Sequence, residues 1–298
     1  MKHWKPAVIA ALWSGALYAA PMPVVASFSI LGDVAQQIGG ERVAVQSLVG
    51  ANQDAHAYNL TSSDIKKIRE ARLVLLNGLG LEKAELQRAV KQSKVASAEA
   101  TAGIKPLAAD EHHHEHGHDH DHDHGEFDPH VWNDPVLMQR YAANVAIALI
   151  KADPAGSRYY QQRFKDYQHV LNQLNNYANQ QFGAVAPAKR KVLTGHDSFA
   201  YLGKRYQVKF ISPQGVSSEA EPSARQITAI IRQIKAENVK AVFTENIKDG
   251  RMIARIAKET GVKVSGGLYA DALSSGAPAG TYADMFRYNV RVMSEAMK

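Results

Sequence analysis

Residues 24–49, VVASFSILGDVAQQIGGERVAVQSLV, contain one complete strand–helix–strand unit. The apolar run VVASFSI at 24–30 predicts a buried strand, LGDVAQQIGG at 31–40 predicts a short helix ending at glycine, and VAVQSLV at 43–49 predicts a second strand. Strands that alternate with helices are typical of a parallel sheet, because parallel neighbours need a crossover connection. This unit therefore predicts an α/β fold.

The same alternation continues through the rest of the first half. A helix is predicted from about 62 to 71, where Thr61 and Asp64 have the spacing of a capping box. The strand LVLLN at 73–77 follows, and another helical stretch begins at about Glu82.

A long helical stretch at 155–182 separates the two halves. It has no internal proline, and a helix of that length spans about 40 Å. After it, four further strands are predicted with helices between them: KVLTGH at 191–196, VKFISP at 208–213, AVFTEN at 241–246 and VKVSGGLY at 262–269. We therefore expect two parallel-sheet lobes, 21–154 and 183–298, with 155–182 as a strut between them.

The composition is that of a globular protein. Of the 298 residues, 45% are hydrophobic, which is enough for two modest domains. The 35 basic and 29 acidic residues leave a formal charge of +6, but no dense Lys/Arg stripe interleaved with aromatic residues follows the chain. We therefore expect no nucleic-acid partner.

The first 20 residues have the pattern of a secretory signal peptide. The basic start MKHWKP is followed by the apolar run AVIAALWSGAL and by the small residues of YAA. The run is shorter than the roughly 20 apolar residues of a permanent membrane anchor. A buried N-terminal helix is the alternative interpretation of this segment.

The sequence contains no cysteine. We therefore expect neither disulfides nor a thiolate metal site, and no cysteine is present to carry a lipid. An exported chain without a lipid anchor favours the bacterial periplasm as the location.

The run EHHHEHGHDHDHDHGE at 111–126 is polar and of low complexity, and we expect it to form a loop within the first lobe. Imidazole and carboxylate alternate along it without an apolar face, so any metal sites should be several, exchangeable and weak. We interpret it as an auxiliary capture or sensing segment, with a tolerated solvated insert as the alternative. The auxiliary candidates are His112, His113, His114, His116, His118, His120, His122 and His124.

Four other metal-capable side chains follow predicted strands or lie in adjoining loops: His56, His130, His196 and Asp271. In open α/β sheets, ligands bind beyond the carboxyl ends of the strands. Three imidazoles and one carboxylate suit a borderline cation such as Zn2+ in a tetrahedral site. Any one of them alone is as well explained by a solvated or capping role, but together they indicate a metal site.

Six stretches of the chain, in order, resemble one protein family. They are DAHAYNLTSSD, DPHVWNDP, GHDSFAYLGKRY, GVSSEAEPSARQI, LYADALSS and TYADMFRYNV. The family is that of the metal-binding solute-binding proteins of bacterial ABC importers, in particular the periplasmic zinc-binding proteins of the ZnuA and AztC kind. The resemblance covers essentially the whole chain after the signal peptide.

The resemblance implies a clamshell of two α/β lobes joined by a rigid connector helix, with one metal in the cleft between them. His56 and His130 match the family's ligands in the first lobe, and His196 and Asp271 match those in the second. The implied function is capture of periplasmic Zn2+ and its delivery to a membrane permease with a cytoplasmic ATPase. A monomer without enzymatic activity is expected, with a periplasmic metallochaperone as a further candidate partner.

The chain departs from the family's pattern in three ways. Asp54-Ala55-His56 stands where Asp-Pro-His is usual, and the disulfide found in the second lobe of some zinc members is excluded. Members dedicated to manganese or iron commonly have Glu where this chain has His196, and a histidine there favours zinc.

Three other functions stay open on the sequence alone: a Mn2+ or Fe2+ solute-binding protein, a metal-dependent adhesin, and a zinc hydrolase. His114-Glu115-His116-Gly117-His118 satisfies the His-Glu-x-x-His pattern, but the glycine and the polar surroundings disfavour the helix that this motif needs. Glu245 competes with Asp271 as a ligand, and we interpret it as an acceptor for a ligating histidine. Glu219 and Glu221 are interpreted as caps of the helix that follows them.

Overall fold

The computed structural model of the protein describes residues 20–109 and 127–298. The predicted signal peptide, apart from Ala20, lies outside these residues, as do the run at 111–126 and all eight auxiliary histidines. Those interpretations therefore stay predictions. Within the two described ranges, no helix is long and apolar enough to cross a membrane.

The first half contains a four-stranded parallel sheet with the order β2-β1-β3-β4. Its central strands are almost entirely buried, which is typical of strands covered by helices on both faces. The elements are β1 (Met22–Phe28), α1 (Ser29–Gly39), β2 (Val43–Val49), α2 (Ser62–Glu70), β3 (Leu73–Leu76), α3 (Ala84–Ser93), β4 (Ala96–Glu99) and α4 (Leu137–Ala152).

One detail of the first half differs from the sequence prediction, and another confirms it. β1 ends at Phe28, and Ser29 and Ile30 already belong to α1, because the first turn of this helix is itself buried in the core. The capping box is confirmed: the Thr61 hydroxyl accepts a hydrogen bond from the Asp64 amide, and the Asp64 carboxylate accepts one from the Thr61 amide.

The second half repeats the arrangement of the first. Its parallel sheet has the order β6-β5-β7-β8, so the strand that begins each half occupies the same place in its sheet. The elements are β5 (Lys191–Leu193), α6 (Ala200–Tyr206), β6 (Lys209–Ile211), α7 (Ala224–Glu237), β7 (Ala241–Glu245), α8 (Arg251–Thr260), β8 (Gly266–Leu268) and α9 (Tyr282–Met297). The α/β class and the two parallel sheets are therefore as predicted.

The long helix is α5 (Ser157–Gly183), with 27 residues, or about 40 Å at the usual rise. Its buried residues recur at helical spacing and pack on α1 and α4 of the first half and on α9 of the second. One continuous hydrophobic cluster runs through both halves and includes Phe28, Trp132 and Tyr282. The lobe boundaries at 154 and 182 stay predictions.

Candidate metal centre

The four predicted residues lie together where the two sheets face each other. His56 follows β2, His196 follows β5 and Asp271 follows β8, while His130 immediately precedes a single 3-10 turn that leads towards α4. Carboxyl ends of parallel strands meet at one edge of a sheet, so each lobe brings its residues to the same edge. One atom from each of the four side chains can be chosen so that all lie within 4.8 Å of one another.

The imidazoles and the carboxylate converge at short range. His56 Nε2 lies 3.1 Å from His130 Nε2, and Asp271 Oδ2 lies 3.0 Å from His196 Nε2. Both His56 Nε2 and His130 Nε2 lie 3.5 Å from an Asp271 oxygen. His130, His196 and Asp271 are fully buried, whereas His56 is 7% exposed. The cluster is therefore closed except at His56.

Three of the converging atoms lack a hydrogen bond of acceptable geometry among the described residues: His196 Nε2 and both oxygens of Asp271. Buried polar atoms are nearly always hydrogen-bonded, because an unpaired one loses its interaction with water without replacement. These atoms point at each other from one small volume. The cluster thus contains an imidazole nitrogen and two carboxylate oxygens that a shared cation would satisfy.

His130 is held by the carboxylate of Asp128. Asp128 Oδ1 lies 2.7 Å from His130 Nδ1 and also accepts the His130 amide at 2.9 Å. The ring of Trp132 lies edge-on to the His130 imidazole, with 5.1 Å between centroids. With Nδ1 engaged in this way, Nε2 is the nitrogen that faces the cluster.

His196 is held in the same way by Glu245, at the end of β7. Glu245 Oε2 lies 2.6 Å from His196 Nδ1, and Oε1 accepts the amides of Gly195 at 2.8 Å and His196 at 3.2 Å. A Cβ atom at position 195 would lie 3.1 Å from the carboxylate, so glycine permits this close approach. Glu245 thus contacts the side of His196 that faces away from the cluster.

The loop that carries His56 is shaped by Asp54. Asp54 Oδ1 accepts the amides of His56 at 2.9 Å and Ala57 at 3.3 Å, as in an Asx turn. The backbone amide of Asn52, in the same loop, donates to the Leu273 carbonyl at 2.8 Å and so connects the loop to the second half of the chain.

Asp271 is fixed against the first half by its neighbours in the chain. The Trp132 indole donates to the Ala270 carbonyl at 2.8 Å, and the Tyr282 hydroxyl donates to the Trp132 carbonyl at 2.8 Å. Because Trp132 lies two residues after His130 and Ala270 directly precedes Asp271, these bonds fix the distance between the two halves of the cluster.

Burial and the surrounding carboxylates set the protonation of the cluster. Burial lowers the pKa of His56. Burial acts in the same direction on His130, but the carboxylates of Asp271 and Asp128 outweigh it and raise the pKa to about 9. For His196, the negative charges of Glu245 and Asp271 likewise outweigh burial and hold the pKa well above its ordinary value.

The pKa of Asp271 is shifted in the opposite direction. Burial on its own raises the pKa of this carboxyl, but the imidazolium charges of His196 and His130 outweigh it and hold the pKa well below its usual range. Without a bound cation, these shifts favour the charged forms of His130, His196 and Asp271.

Two contacts of the site were not predicted, and one prediction was wrong. Asp128 was missed, although its Asp-Pro-His spacing repeats the Asp-Ala-His spacing of Asp54 and could have indicated it. Ser218, whose hydroxyl donates to Asp54 Oδ2, was missed without any such signal. Neither Glu219 nor Glu221 caps α7, because the Ser223 side chain directly precedes the helix and provides the cap. Glu219 instead pairs with Lys83 at 2.8 Å.

Comparisons with known proteins consistently find metal-binding proteins. Residues 24–296 match the family model described as zinc-uptake complex component A, periplasmic. The chain is 32% identical over 287 residues to the manganese-binding lipoprotein MntA of Bacillus subtilis, covering 93% of this chain and 90% of that protein. It is 27% identical over 277 residues to the iron ABC transporter substrate-binding lipoprotein MtsA of Streptococcus pyogenes serotype M1, covering 93% and 89%.

Comparison with solved structures also finds a metal-binding protein. The periplasmic zinc binding protein TroA of Treponema pallidum superposes with a TM-score of 0.85 at 26% identity, covering 93% of this chain and 99% of that chain. The similar proteins thus carry manganese, iron or zinc in their names, and TroA shares the fold of this chain.

Proposed function

The chain belongs to the zinc-uptake complex component A family of periplasmic metal-binding proteins, the substrate-binding components of metal ABC transporters, and from this premise we propose that its cargo is Zn2+. It captures the ion in the periplasm and delivers it to an ABC permease with a cytoplasmic ATPase. The family consists of solute-binding proteins, and we propose no catalytic activity for this member.

The observation that carries the choice of zinc is the set of donors in the cluster. We propose that His56, His130, His196 and Asp271 ligate the metal, the first three through Nε2. Three imidazole nitrogens to one carboxylate suit Zn2+, whereas Mn2+ favours sites richer in oxygen. Imidazole also prefers zinc over manganese and iron(II) in the usual stability order, so selection of either against zinc at this site is difficult.

Charge supports the binding of a divalent cation. Asp271 is one buried carboxylate at the cluster, and Asp128 and Glu245 add two more behind the histidines. A buried carboxylate that accepts from a ligating imidazole raises the basicity of that ligand and stabilises the metal. The cluster therefore attracts a cation more strongly than three neutral histidines and one aspartate would.

The proposal is tested by competitive titration with chelators of graded affinity. We expect one tight Zn2+ per chain and binding of Mn2+ at least about 10²-fold weaker, following the stability order. Anomalous scattering at the zinc edge in crystals should place the ion between the four side chains. Tight manganese binding with weak zinc binding would make the protein a manganese carrier instead.

Removing the acceptor behind one histidine should weaken zinc binding without abolishing it. For Glu245→Gln and, separately, Asp128→Asn, we expect zinc affinity to fall by about 10- to 100-fold, because the imidazole loses basicity and orientation. Glu259→Gln, on the exposed face of α8, is the matched control and should bind like the wild type. Wild-type affinity in both cluster variants would show that these carboxylates do not support the metal.

We also propose that the mature protein acts in the periplasm without a lipid anchor. Relatives such as MntA are named lipoproteins, whereas this sequence has no cysteine for such an anchor. Zinc-starved cells lacking the protein should fail to accumulate zinc. Normal zinc uptake combined with lost surface attachment would favour an adhesin.

A further inference from the structure

The cluster contains two Asp-x-His turns. They share a hydrogen bond from the backbone amide of the histidine to the aspartate, but the two aspartate side chains make different further contacts. In each, the aspartate accepts the amide of the histidine two residues later at 2.9 Å. Asp128 uses that same oxygen to contact the ring of its own histidine. Asp54 instead directs its second oxygen to the hydroxyl of Ser218 in the other half, at 2.5 Å. Asp54 is therefore connected to the opposite lobe rather than to a ring.

Ser218 is anchored to the strand end that carries His196. Its carbonyl accepts from the Gln214 amide side chain at 3.1 Å, and the same nitrogen donates to the Ala220 carbonyl at 2.7 Å. Gln214 is buried and forms a parallel bridge with His196. A hydrogen-bonded path thus runs from the His56 loop through Asp54, Ser218 and Gln214 to His196 without passing through the cluster.

The Asp54 end of this path lies next to the part of the cluster that is nearest to solvent. His56 is the one residue of the four with exposed surface, and the nearby Lys83–Glu219 ion pair also joins the two halves. On the other side, Trp132 is fully buried in the continuous core and bonded to both Ala270 and Tyr282. A cation that leaves the cluster would therefore pass His56, where the halves are joined by hydrogen bonds and an ion pair rather than by the core.

We infer that Asp54 is a positioning residue that closes the metal site through Ser218, and that the Asp54–Ser218 hydrogen bond sets the rate at which the metal leaves. The inference rests on the proposed function. Breaking the bond frees the His56 loop from the segment at 214–220 while leaving all four cluster side chains in place. A hydrogen bond to a charged group, here the Asp54 carboxylate, contributes more than a neutral one.

The test measures zinc dissociation from the full chain by stopped flow, with an excess of a fluorescent chelator. We expect Ser218→Ala to release zinc about tenfold faster than the wild type, from the loss of one hydrogen bond to a carboxylate. The matched control is Ser217→Ala in the same segment, where the hydroxyl accepts the Glu219 amide. It should stay within about twofold of the wild type.

Variants of Asp54 separate positioning from a general loss of structure. Asp54→Asn retains an oxygen for the His56 amide and gains an amide that can donate to the Ser218 hydroxyl, so it should release zinc nearly as slowly as the wild type. Asp54→Ala loses both contacts and should release it faster than Ser218→Ala. The double variant Asp54→Ala/Ser218→Ala should be no faster than Asp54→Ala alone.

The outcomes distinguish the two proposals. Equal dissociation rates for Ser218→Ala and Ser217→Ala would overturn the inference while leaving zinc capture intact, as would an Asp54→Asn rate equal to that of Asp54→Ala. A large drop in the Tm of metal-free Ser218→Ala, together with a faster release in Asp54→Asn, would indicate a merely structural role and also overturn it. Absence of tight zinc in the wild type would instead refute the proposed function.

Discussion

Asp271→Ala is expected to lose tight zinc binding, with a decrease in affinity on the order of 10³-fold. Among the described residues, this carboxylate is the anionic group that faces all three imidazoles, and it lies 3.0 Å from His196 Nε2 and 3.5 Å from the Nε2 atoms of His56 and His130. Without it, the cation would keep three neutral donors and lose the charge at the centre of the cluster.

Competition with a zinc chelator measures this effect, and Asp249→Ala is the matched control. Asp249 is exposed and pairs with the neighbouring Arg251, so its removal should leave zinc affinity unchanged. His196→Ala should resemble Asp271→Ala, because it also removes a donor contributed by the second half. Tight zinc retained in both Asp271→Ala and His196→Ala would refute the assignment of the cluster as the cargo site.

Much of this site could be predicted from sequence because the fold itself brings the donors together. In a parallel sheet, a residue placed just after a strand lies at the carboxyl edge whatever the helices between strands contain. His196 and Asp271 follow strands of one sheet and His56 follows a strand of the other. The resemblance to the family, rather than the α/β alternation, predicted that the two sheets share one site. The burial of these residues and the 2.6 Å contact between His196 and Glu245 depend on tertiary packing and needed the structure.

The features that could not be predicted are those that no local sequence pattern indicates. Ser218 lies 164 positions from Asp54, and nothing in the Ser-Ser pair distinguishes it from Ser217. β4 (Ala96–Glu99) was not predicted because an edge strand that is largely exposed has no apolar alternation. The end of β1 was placed two residues late because Ser29 and Ile30 are buried in the first turn of a helix and continue the same apolar run.

In the proposed metal site, tight binding and release depend on different side chains. Two histidines are backed by the buried carboxylates of Asp128 and Glu245, and the core contacts of Trp132 hold the halves together around them. His56 lies on a loop and is the one of the four with exposed surface, and burial lowers its pKa, which favours the neutral imidazole. Three donors are thus held rigidly, and the fourth is the one whose loop can be released.

Zinc affinity is expected to fall by about 10²-fold for each pH unit of acidification, or about 10⁴-fold between about pH 7.5 and 5.5. In the metal-free protein, His130 has a pKa of about 9 and His196 has a pKa well above its ordinary value, so both carry a proton over this range. Each must lose that proton before Nε2 can ligate zinc, and two protons are therefore displaced per ion. Asp271 contributes no proton because its pKa lies well below its usual range.

The same shifts predict that acid releases the metal without unfolding the protein. The stability that His130 and His196 gain from their raised pKa values is fully present below the ordinary value of 6.5 and is lost as pH rises through the raised values, about 9 for His130. The stability from Asp271 is present above 3.8 and is lost as pH falls through its lowered pKa. The lowered pKa of His56 has the opposite effect, because its contribution to the stability of the fold is lost as pH falls below 6.5. This loss comes from one group, whereas His130 and His196 both retain their contributions.

Calorimetric titration of zinc in buffers of different ionisation enthalpy measures the protons released, and chelator competition across the same pH range measures the slope. In Glu245→Gln, the carboxylate that holds the proton on His196 is neutralised, so the number of protons released should fall from about two towards one. The Tm of the metal-free wild type should change little over the range in which zinc is lost. A zinc affinity independent of pH, or a loss of zinc that coincides with unfolding, would contradict the protonation of the cluster on which this coupling depends.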